Sequence, residues 1–128
     1  MQEQFVKYEQ AVALKELGFD YPCFGYYILK DCQLYYDTII DRKDNVFRNN
    51  TSLNYYGDLK EKVAAPLKSQ VFDWFRKQGY DTKVQKESEG LYFGFYWNGA
   101  AWVIVGNGSY EEAESACIDK LIDIIKNK

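Results

Sequence analysis

Apolar side chains recur at helical spacing in three segments of the chain. The first runs from Gln2 to Leu17, the second from Pro66 to Gly79, and the third follows Ser109. The third is the best defined, because Ser109 and Glu112 form the S-x-x-E pattern of a capping box. The first two segments are both followed by glycine, an aromatic residue and aspartate, which is a typical helix C-terminus. The pattern therefore predicts three amphipathic helices.

In the segments between the predicted helices, side chains at alternate positions share a character, as they do in β-strands. Trp97-Asn98-Gly99-Ala100 is typical of a hairpin, with Asn98-Gly99 as a two-residue loop. Alternation about that loop predicts one face made of Leu91, Phe93, Phe95, Trp97, Trp102 and Ile104. It predicts a second face made of Tyr92, Gly94, Tyr96, Val103 and Val105. We expect the first set to be the core face.

Further strands are predicted over 80–87 and, as a second hairpin, over 23–29 and 34–40. The polar, Asn-rich run 41–58 predicts a long loop that is functional or mobile. The predicted fold is α+β, with helices packed on one face of an antiparallel sheet, in the order α-β-β-loop-α-β-β-β-α. We expect a single domain, 1–128, with one contiguous core. Its predicted members are Trp74, Phe75, Phe93, Phe95, Trp102, Ala116 and Leu121.

The amino-acid composition excludes several classes of function. The chain has 128 residues, of which 47% are hydrophobic, so it can bury a core. It contains no His, which removes the usual acid–base residue and the commonest metal ligand. A net charge of −3 disfavours a general nucleic-acid binder. The N-terminus lacks a signal-peptide pattern and no long apolar run occurs, which predicts a cytoplasmic protein without a membrane partner.

The candidate reactive groups favour structural roles. Cys23, Cys32 and Cys117 lack metal-site spacing and are interpreted as reduced thiols, with Cys117 a small apolar residue on a helix face. The acidic residues Asp37, Asp41, Asp44 and Asp58 are interpreted as solvated charges rather than a Mg²⁺ site. Gly106-Asn107-Gly108 is interpreted as a strand-to-helix turn rather than an anion cradle. No catalytic residue, cofactor site or metal site is predicted.

From Pro66 onward, the helix-strand-strand-strand-helix order resembles the double-stranded RNA-binding domain. Ser109 and Ala113 match the serine and alanine that open that family's last helix, and Ala116-Cys117 match its small-residue pair. Where the family uses phosphate-gripping lysines, this chain has Tyr110, Glu111 and Glu114. The resemblance implies the fold of that domain over about half of the chain, and the acidic residues predict no binding to duplex RNA.

Over its whole length the chain resembles small uncharacterised proteins of Bacteroidetes genomes, prophages and phages. The matching segments are Phe5-Val-Lys-Tyr-Glu, Leu17-Gly-Phe-Asp-Tyr-Pro-Cys-Phe-Gly-Tyr-Tyr, Ala65-Pro-Leu, Asp73-Trp-Phe-Arg and Ser109-Tyr-Glu-Glu-Ala. This resemblance implies a prokaryotic or phage setting and no particular activity.

The excess of aromatic residues suggests a binding surface. Twelve Tyr, eight Phe and three Trp exceed what one small core easily encloses, and surface Tyr and Trp commonly anchor partners. Tyr92, Tyr96, Tyr55 and Tyr56 are the predicted partner-binding residues. The leading hypothesis is an interaction module that binds a protein partner or its own copy, as a phage or mobile-element accessory protein. The alternative is a weak single-stranded nucleic-acid binder that stacks bases on Tyr92 and Tyr96 near Lys83 and Lys86.

Overall fold

The computed structural model describes residues 4–28, 32–36 and 62–128. The chain divides into two compact units, Met1–Leu67 and Lys68–Lys128. That these units together form one domain stays a prediction.

Within its described residues, the first unit combines one helix with a three-stranded antiparallel sheet. Its elements are α1 (Tyr8–Glu16), β1 (Gly25–Ile28), β2 (Gln33–Tyr36) and β3 (Lys62–Ala65), and the strand order is β2-β1-β3. The β1–β2 hairpin lies where the sequence predicted it. Strand β3 was missed, because its four residues are too few to display a period.

Helix α1 begins later than the apolar stripe predicts. Phe5 is buried and forms an isolated β-bridge with Leu67 instead of a first helical turn. The backbone N–H of Val6 donates to the carbonyl of Pro66 at 3.1 Å. Phe5 and Val6, which the apolar pattern assigned to the helix, therefore pair as a strand does. The helix begins after them, with Lys7 as its N-cap.

Packing in the first unit centres on Tyr27 of β1. Its hydroxyl donates to the Val6 carbonyl at 2.7 Å, and its ring meets that of Tyr8 edge to face, with centroids 5.6 Å apart. A buried tyrosine needs such a partner for its hydroxyl, because an unpaired one would carry its full desolvation cost. Leu14 and Val63, both fully buried, belong to the core of this unit.

The second unit has the order α-β-β-β-α. Its elements are α2 (Lys68–Lys77), β4 (Thr82–Ser88), β5 (Leu91–Trp97), β6 (Trp102–Gly108) and α3 (Tyr110–Lys126). The strands form an antiparallel sheet in the order β4-β5-β6. The predicted α+β class and its order of helices and strands are thereby confirmed, with β3 as an additional strand. The prediction of one sheet was wrong, since the six described strands form two.

The helix ends follow the sequence signals. Gly18 and Gly79 both have left-handed φ angles, 91° and 95°, which a side chain at that position disfavours. The N–H of Phe19 donates to Leu14 and that of Tyr80 to Phe75, each at 3.0 Å. These are the six-to-one bonds of a Schellman motif, and they confirm the predicted stop.

The capping box of α3 is also confirmed. The Ser109 hydroxyl accepts from the Glu112 N–H, and the Glu112 carboxylate accepts from the Ser109 N–H, both at 3.1 Å. Two backbone donors of the first turn are therefore satisfied locally.

No helix within the described residues is long and apolar enough to cross a lipid bilayer.

The core of the second unit agrees only in part with the prediction. Phe75 and Leu121 are fully buried, as expected, together with Val71 and Cys117. Trp102, predicted to be in the core, is 40% exposed. The remaining predicted members, Trp74, Phe93, Phe95 and Ala116, are half-buried.

Candidate functional site

The β5–β6 hairpin turns one residue later than the sequence predicts. Trp97 pairs with Trp102, and the Asn98 N–H donates to the Ala101 carbonyl at 3.2 Å, so Gly99 and Ala100 form the turn. The Asn98 side-chain oxygen accepts from the N–H groups of Ala100 and Ala101 at 2.8 and 2.9 Å. The pairing moves by two residues, and an even shift leaves every side chain on its predicted face.

Helix α3 packs on the face of the sheet that carries glycine. A Cβ on Gly94 would lie 2.6 Å from the Ala113 carbonyl oxygen and 2.8 Å from Cys117 Sγ. A Cβ on Gly106 would lie 2.5 Å from Ala116 Cβ. These distances are below ordinary contact, so the helix approaches this closely only because both strand positions lack a side chain.

The predicted core face was therefore the wrong one. Gly94 faces α3, and alternation along β5 places Phe93 and Phe95 on the opposite side of the sheet. The prediction assigned the face with the large side chains to the core. The informative signal was the opposite one, because glycines on a single face mark where a helix lies close.

A β-bulge keeps β6 in phase with its neighbour. Gly94 pairs with Gly106 and Phe95 with Ile104, which leaves Val105 without a directly opposite residue. The extra residue restores the alternation, so Gly106 faces α3 while Ile104 and Trp102 face away. Both glycines and both large side chains thus reach their respective sides.

The side away from α3 carries a continuous group of large side chains, which we call the open face. Its members are Lys83, Phe93, Phe95, Trp97, Trp102 and Ile104. Ile104 is 60% exposed, and both it and Trp102 are among the large apolar residues most accessible to solvent in the described chain. The rings of Trp97 and Trp102 meet edge to face with centroids 5.5 Å apart. Aromatic rings in contact at a solvent-exposed sheet surface are typical of a binding site.

Lys83 lies among these rings. Its ammonium is 4.5 Å from the centroid of Trp102 and 5.0 Å from that of Phe95, both within cation–π range. Asp81, two residues earlier in the chain, lies at the edge of this face, where its carbonyl accepts from the Trp97 N–H at 2.9 Å. The open face therefore combines apolar area with one positive charge at its middle.

The predicted tyrosines do not belong to the open face. Tyr92 lies on the α3 side, half-buried, and its ring meets Tyr110 edge to face with centroids 5.5 Å apart. Tyr96 lies on the same side, opposite Thr82 and Val103. Tyr55 and Tyr56 fall outside the described residues. The partner-binding role of these four tyrosines stays a prediction.

The N-terminus of α3 is acidic where an RNA-binding domain is basic. Glu114 forms an ion pair with Lys68 at 3.8 Å, and burial raises the pKa of its carboxyl. Burial and the charges of Glu114 and Glu111 raise the pKa of the Tyr110 phenol. Tyr110, Glu111 and Glu114 supply no positive charge to a phosphate, and the absence of duplex RNA binding stays a prediction.

The cysteines differ in their accessibility. Cys23 and Cys117 are fully buried, and their thiol pKa values are raised to about 12 and about 11, with burial as the main cause in each. The Cys117 thiol donates to the Phe95 carbonyl at 3.6 Å. Cys32 is exposed, in a turn with a φ of 56°. Both buried thiols are therefore poor nucleophiles at neutral pH.

Within residues 4–28, 32–36 and 62–128, no three side chains of the His, Cys, Asp and Glu types cluster closely enough to hold a metal ion. The carboxylates weighed as a Mg²⁺ site, Asp37, Asp41, Asp44 and Asp58, lie outside the described residues.

No protein family, curated protein or solved structure matches this chain.

Proposed function

We propose that this protein is a non-enzymatic interaction module that binds a protein partner through the open face of its second sheet. The observation that carries the proposal is the exposure of large apolar side chains there, 60% at Ile104 and 40% at Trp102. Water contact at these residues is unfavourable by roughly 25 cal/mol for each Å² of apolar surface. A partner that covers them recovers that free energy.

The chemistry of the chain supports a binding role over a catalytic one. It has no His to act as a general base, and the high pKa values of the Cys23 and Cys117 thiols keep them protonated. Tryptophan, by contrast, is among the residues that contribute most to protein–protein binding. Trp97 and Trp102 therefore anchor the proposed interface.

The open face takes the place that the sequence suggested for Tyr92 and Tyr96. Those tyrosines share their side of the sheet with α3, and the ring of Tyr92 already packs on Tyr110. The resemblance to phage and Bacteroidetes proteins supports a prokaryotic accessory role in the cytoplasm. The genes adjacent to this one test that role, because tail, replication or anti-defence neighbours each define a class of partner.

A second candidate function is weak binding of single-stranded nucleic acid. The observation that favours it is Lys83 beside exposed rings, since base stacking on aromatic side chains contributes about 1–3 kcal/mol per base. In this form the stacking surface is the open face rather than Tyr92 and Tyr96.

One experiment separates these functions. Fragments of the encoding genome, displayed as peptides and domains, are selected on the wild-type protein and on a Trp102→Ala/Ile104→Thr double variant. We expect fragments that bind the wild type and lose binding to the double variant. If no fragment depends on these two positions, the proposed function is wrong.

Titration with a fluorescent oligo-dT at low and high salt runs in parallel. Salt-sensitive oligonucleotide binding that the double variant loses would favour the second candidate, because salt screens phosphate contacts. Sedimentation velocity on the same samples reports whether the bound partner is a second copy of the chain.

A further inference from the structure

We infer that the open face binds an apolar peptide segment that carries a carboxylate, and that Lys83 receives this carboxylate. The inference rests on the proposed function and adds the chemical class of the partner. It comes from the position of the Lys83 charge among the aromatic side chains of this surface.

Lys83 occupies the middle of the open face. In the register, Lys83 lies opposite Phe95, and Phe95 lies opposite Ile104. The next row toward the turn holds Trp97 and Trp102, and the ammonium lies 4.5 Å from the Trp102 centroid. A partner that covers the exposed part of Trp102 and Ile104 must therefore also cover the Lys83 ammonium.

Covering that ammonium without a counter-charge is unfavourable. Removing an ion from water is strongly unfavourable unless it is paired and hydrogen-bonded, and the cation–π contacts offset only part of that cost. A wholly apolar partner would lose part of the free energy gained from the aromatic rings. A partner with one carboxylate placed over Lys83 keeps that gain.

The same reasoning disfavours a second copy of this chain in a face-to-face arrangement. The opposing open face would bring another Lys83 at its middle, so two like charges would be covered together. Complementarity of charge thus selects an acidic partner over an identical one.

A nucleic-acid strand fits the charge of this surface less well than a peptide. Each nucleotide adds a phosphate, whereas the open face offers one ammonium. Residues 68–128 contain nine Asp and Glu against eight Lys and Arg, with Glu87 near the end of β4 and Glu89 in the β4–β5 connection. A single carboxylate among apolar side chains matches a single lysine among aromatic ones.

Selection from a random displayed peptide library tests the inference directly. We expect the wild-type protein to enrich peptides with Asp or Glu beside aromatic or aliphatic residues. The Lys83→Glu variant should instead enrich Lys or Arg at the acidic position. Lys83→Met should weaken binding of the acidic peptides about five- to thirtyfold, and changing the peptide carboxylate to an amide should weaken binding to the wild type similarly.

Lys86→Glu is the matched control, because Lys86 lies on the same strand but on the α3 side, where its ammonium already pairs with Glu89 at 2.7 Å. It should leave the enriched peptides unchanged. Denaturation curves establish that every variant is folded.

The outcomes distinguish the two levels of the proposal. Enriched peptides that need Trp102 and Ile104 but carry no acidic residue would overturn this inference and leave the proposed function standing. The inference also fails if the acidic preference survives Lys83→Glu, or if no peptide depends on the open face. Salt-sensitive binding of oligo-dT that Lys83→Met abolishes, without peptide enrichment, would assign the surface to nucleic acid instead.

Discussion

The two faces of the second sheet differ in the size of the side chains that they carry. On the α3 side, Gly94 and Gly106 let the helix backbone and Ala116 approach to distances that a Cβ would not allow. On the other side, Trp102 and Ile104 are bulky and exposed. The face with little apolar side-chain volume at its centre is covered by α3, and the face with much of it exposes Trp102 and Ile104 to solvent.

This difference shows how packing distance decides burial. A helix and a sheet come close only where their facing residues are small, so α3 places Ala113, Ala116 and Cys117 over the glycines. Large rings between the two elements would force them apart. The large side chains on the open face, Trp102 among them, are therefore available for a different role, which we propose to be partner binding.

The comparison is most severely tested by a Gly94→Val substitution. Valine suits a β-strand, so its effect reports only on the space beside α3. We expect a loss of about 1–3 kcal/mol in the free energy of unfolding, because the added Cβ would lie 2.6 Å from the Ala113 carbonyl oxygen. Denaturant titration followed by tryptophan fluorescence measures it, since Trp74, Trp97 and Trp102 all belong to the second unit.

Gln85→Val is the matched control. Gln85 is exposed and lies on the open side of β4, where the same side chain meets no helix. It should leave stability unchanged within about 0.5 kcal/mol. Equal stabilities for the two variants would mean that α3 does not approach Gly94 as closely as described.

Local signals in the sequence are sufficient to predict most of the second unit. The Ser109 capping box and the Gly79 stop specify their helix ends through bonds between residues a few positions apart. The Asn98-Gly99 hairpin is likewise local, and its turn moves by only one residue. Such signals need no knowledge of tertiary packing.

What the sequence did not reveal depends on distant contacts. The Phe5–Leu67 bridge joins residues far apart in the chain, and no local pattern announces it. The choice of core face depends on how near α3 comes to Gly94, which is a property of two elements together. The candidate site was missed for that reason, because Phe95 and Trp102 were assigned to the core and Tyr92 to the surface.

The next largest effect should come from Ser109→Ala, which removes the cap that begins α3 on the glycine side. We expect a loss of about 1 kcal/mol, because the Glu112 N–H loses its acceptor. Ser109→Asp keeps an acceptor at the cap and should retain most of the stability. The same denaturant titration measures both, and an unchanged value for Ser109→Ala would show that the capping box is not needed to hold α3.

The pH dependence of stability tests whether the Cys117 thiol is buried beneath α3. Its pKa in the folded protein is raised to about 11, whereas an unfolded cysteine titrates near about 8.5. The folded state therefore binds the thiol proton more tightly than the unfolded state does. The stability that this proton contributes is complete below about pH 8 and is lost as the pH rises toward the folded pKa.

We expect the free energy of unfolding to fall from about pH 8 to about pH 10, and to fall less steeply in Cys117→Ala. Stability is measured under reducing conditions at each pH. The slope of stability against pH then separates the effect of thiol ionisation from the pH-independent destabilisation caused by truncating the side chain. The buried Cys23 contributes a similar slope, so the variant reduces the pH dependence without abolishing it. A slope identical to that of the wild type would place the Cys117 thiol in contact with water.

The smallest effect on stability should come from the open face itself. In Trp102→Ala and Ile104→Thr, much of the removed side chain is already in water, so little transfer free energy is lost. We expect changes of less than about 1 kcal/mol for each, the larger one for Trp102 because its ring also contacts Trp97 and Lys83. Denaturant curves followed by circular dichroism measure this without depending on the deleted tryptophan. Losses as large as that of Gly94→Val would mean that these side chains support the fold, and the open face could then no longer be regarded as a surface kept for a partner.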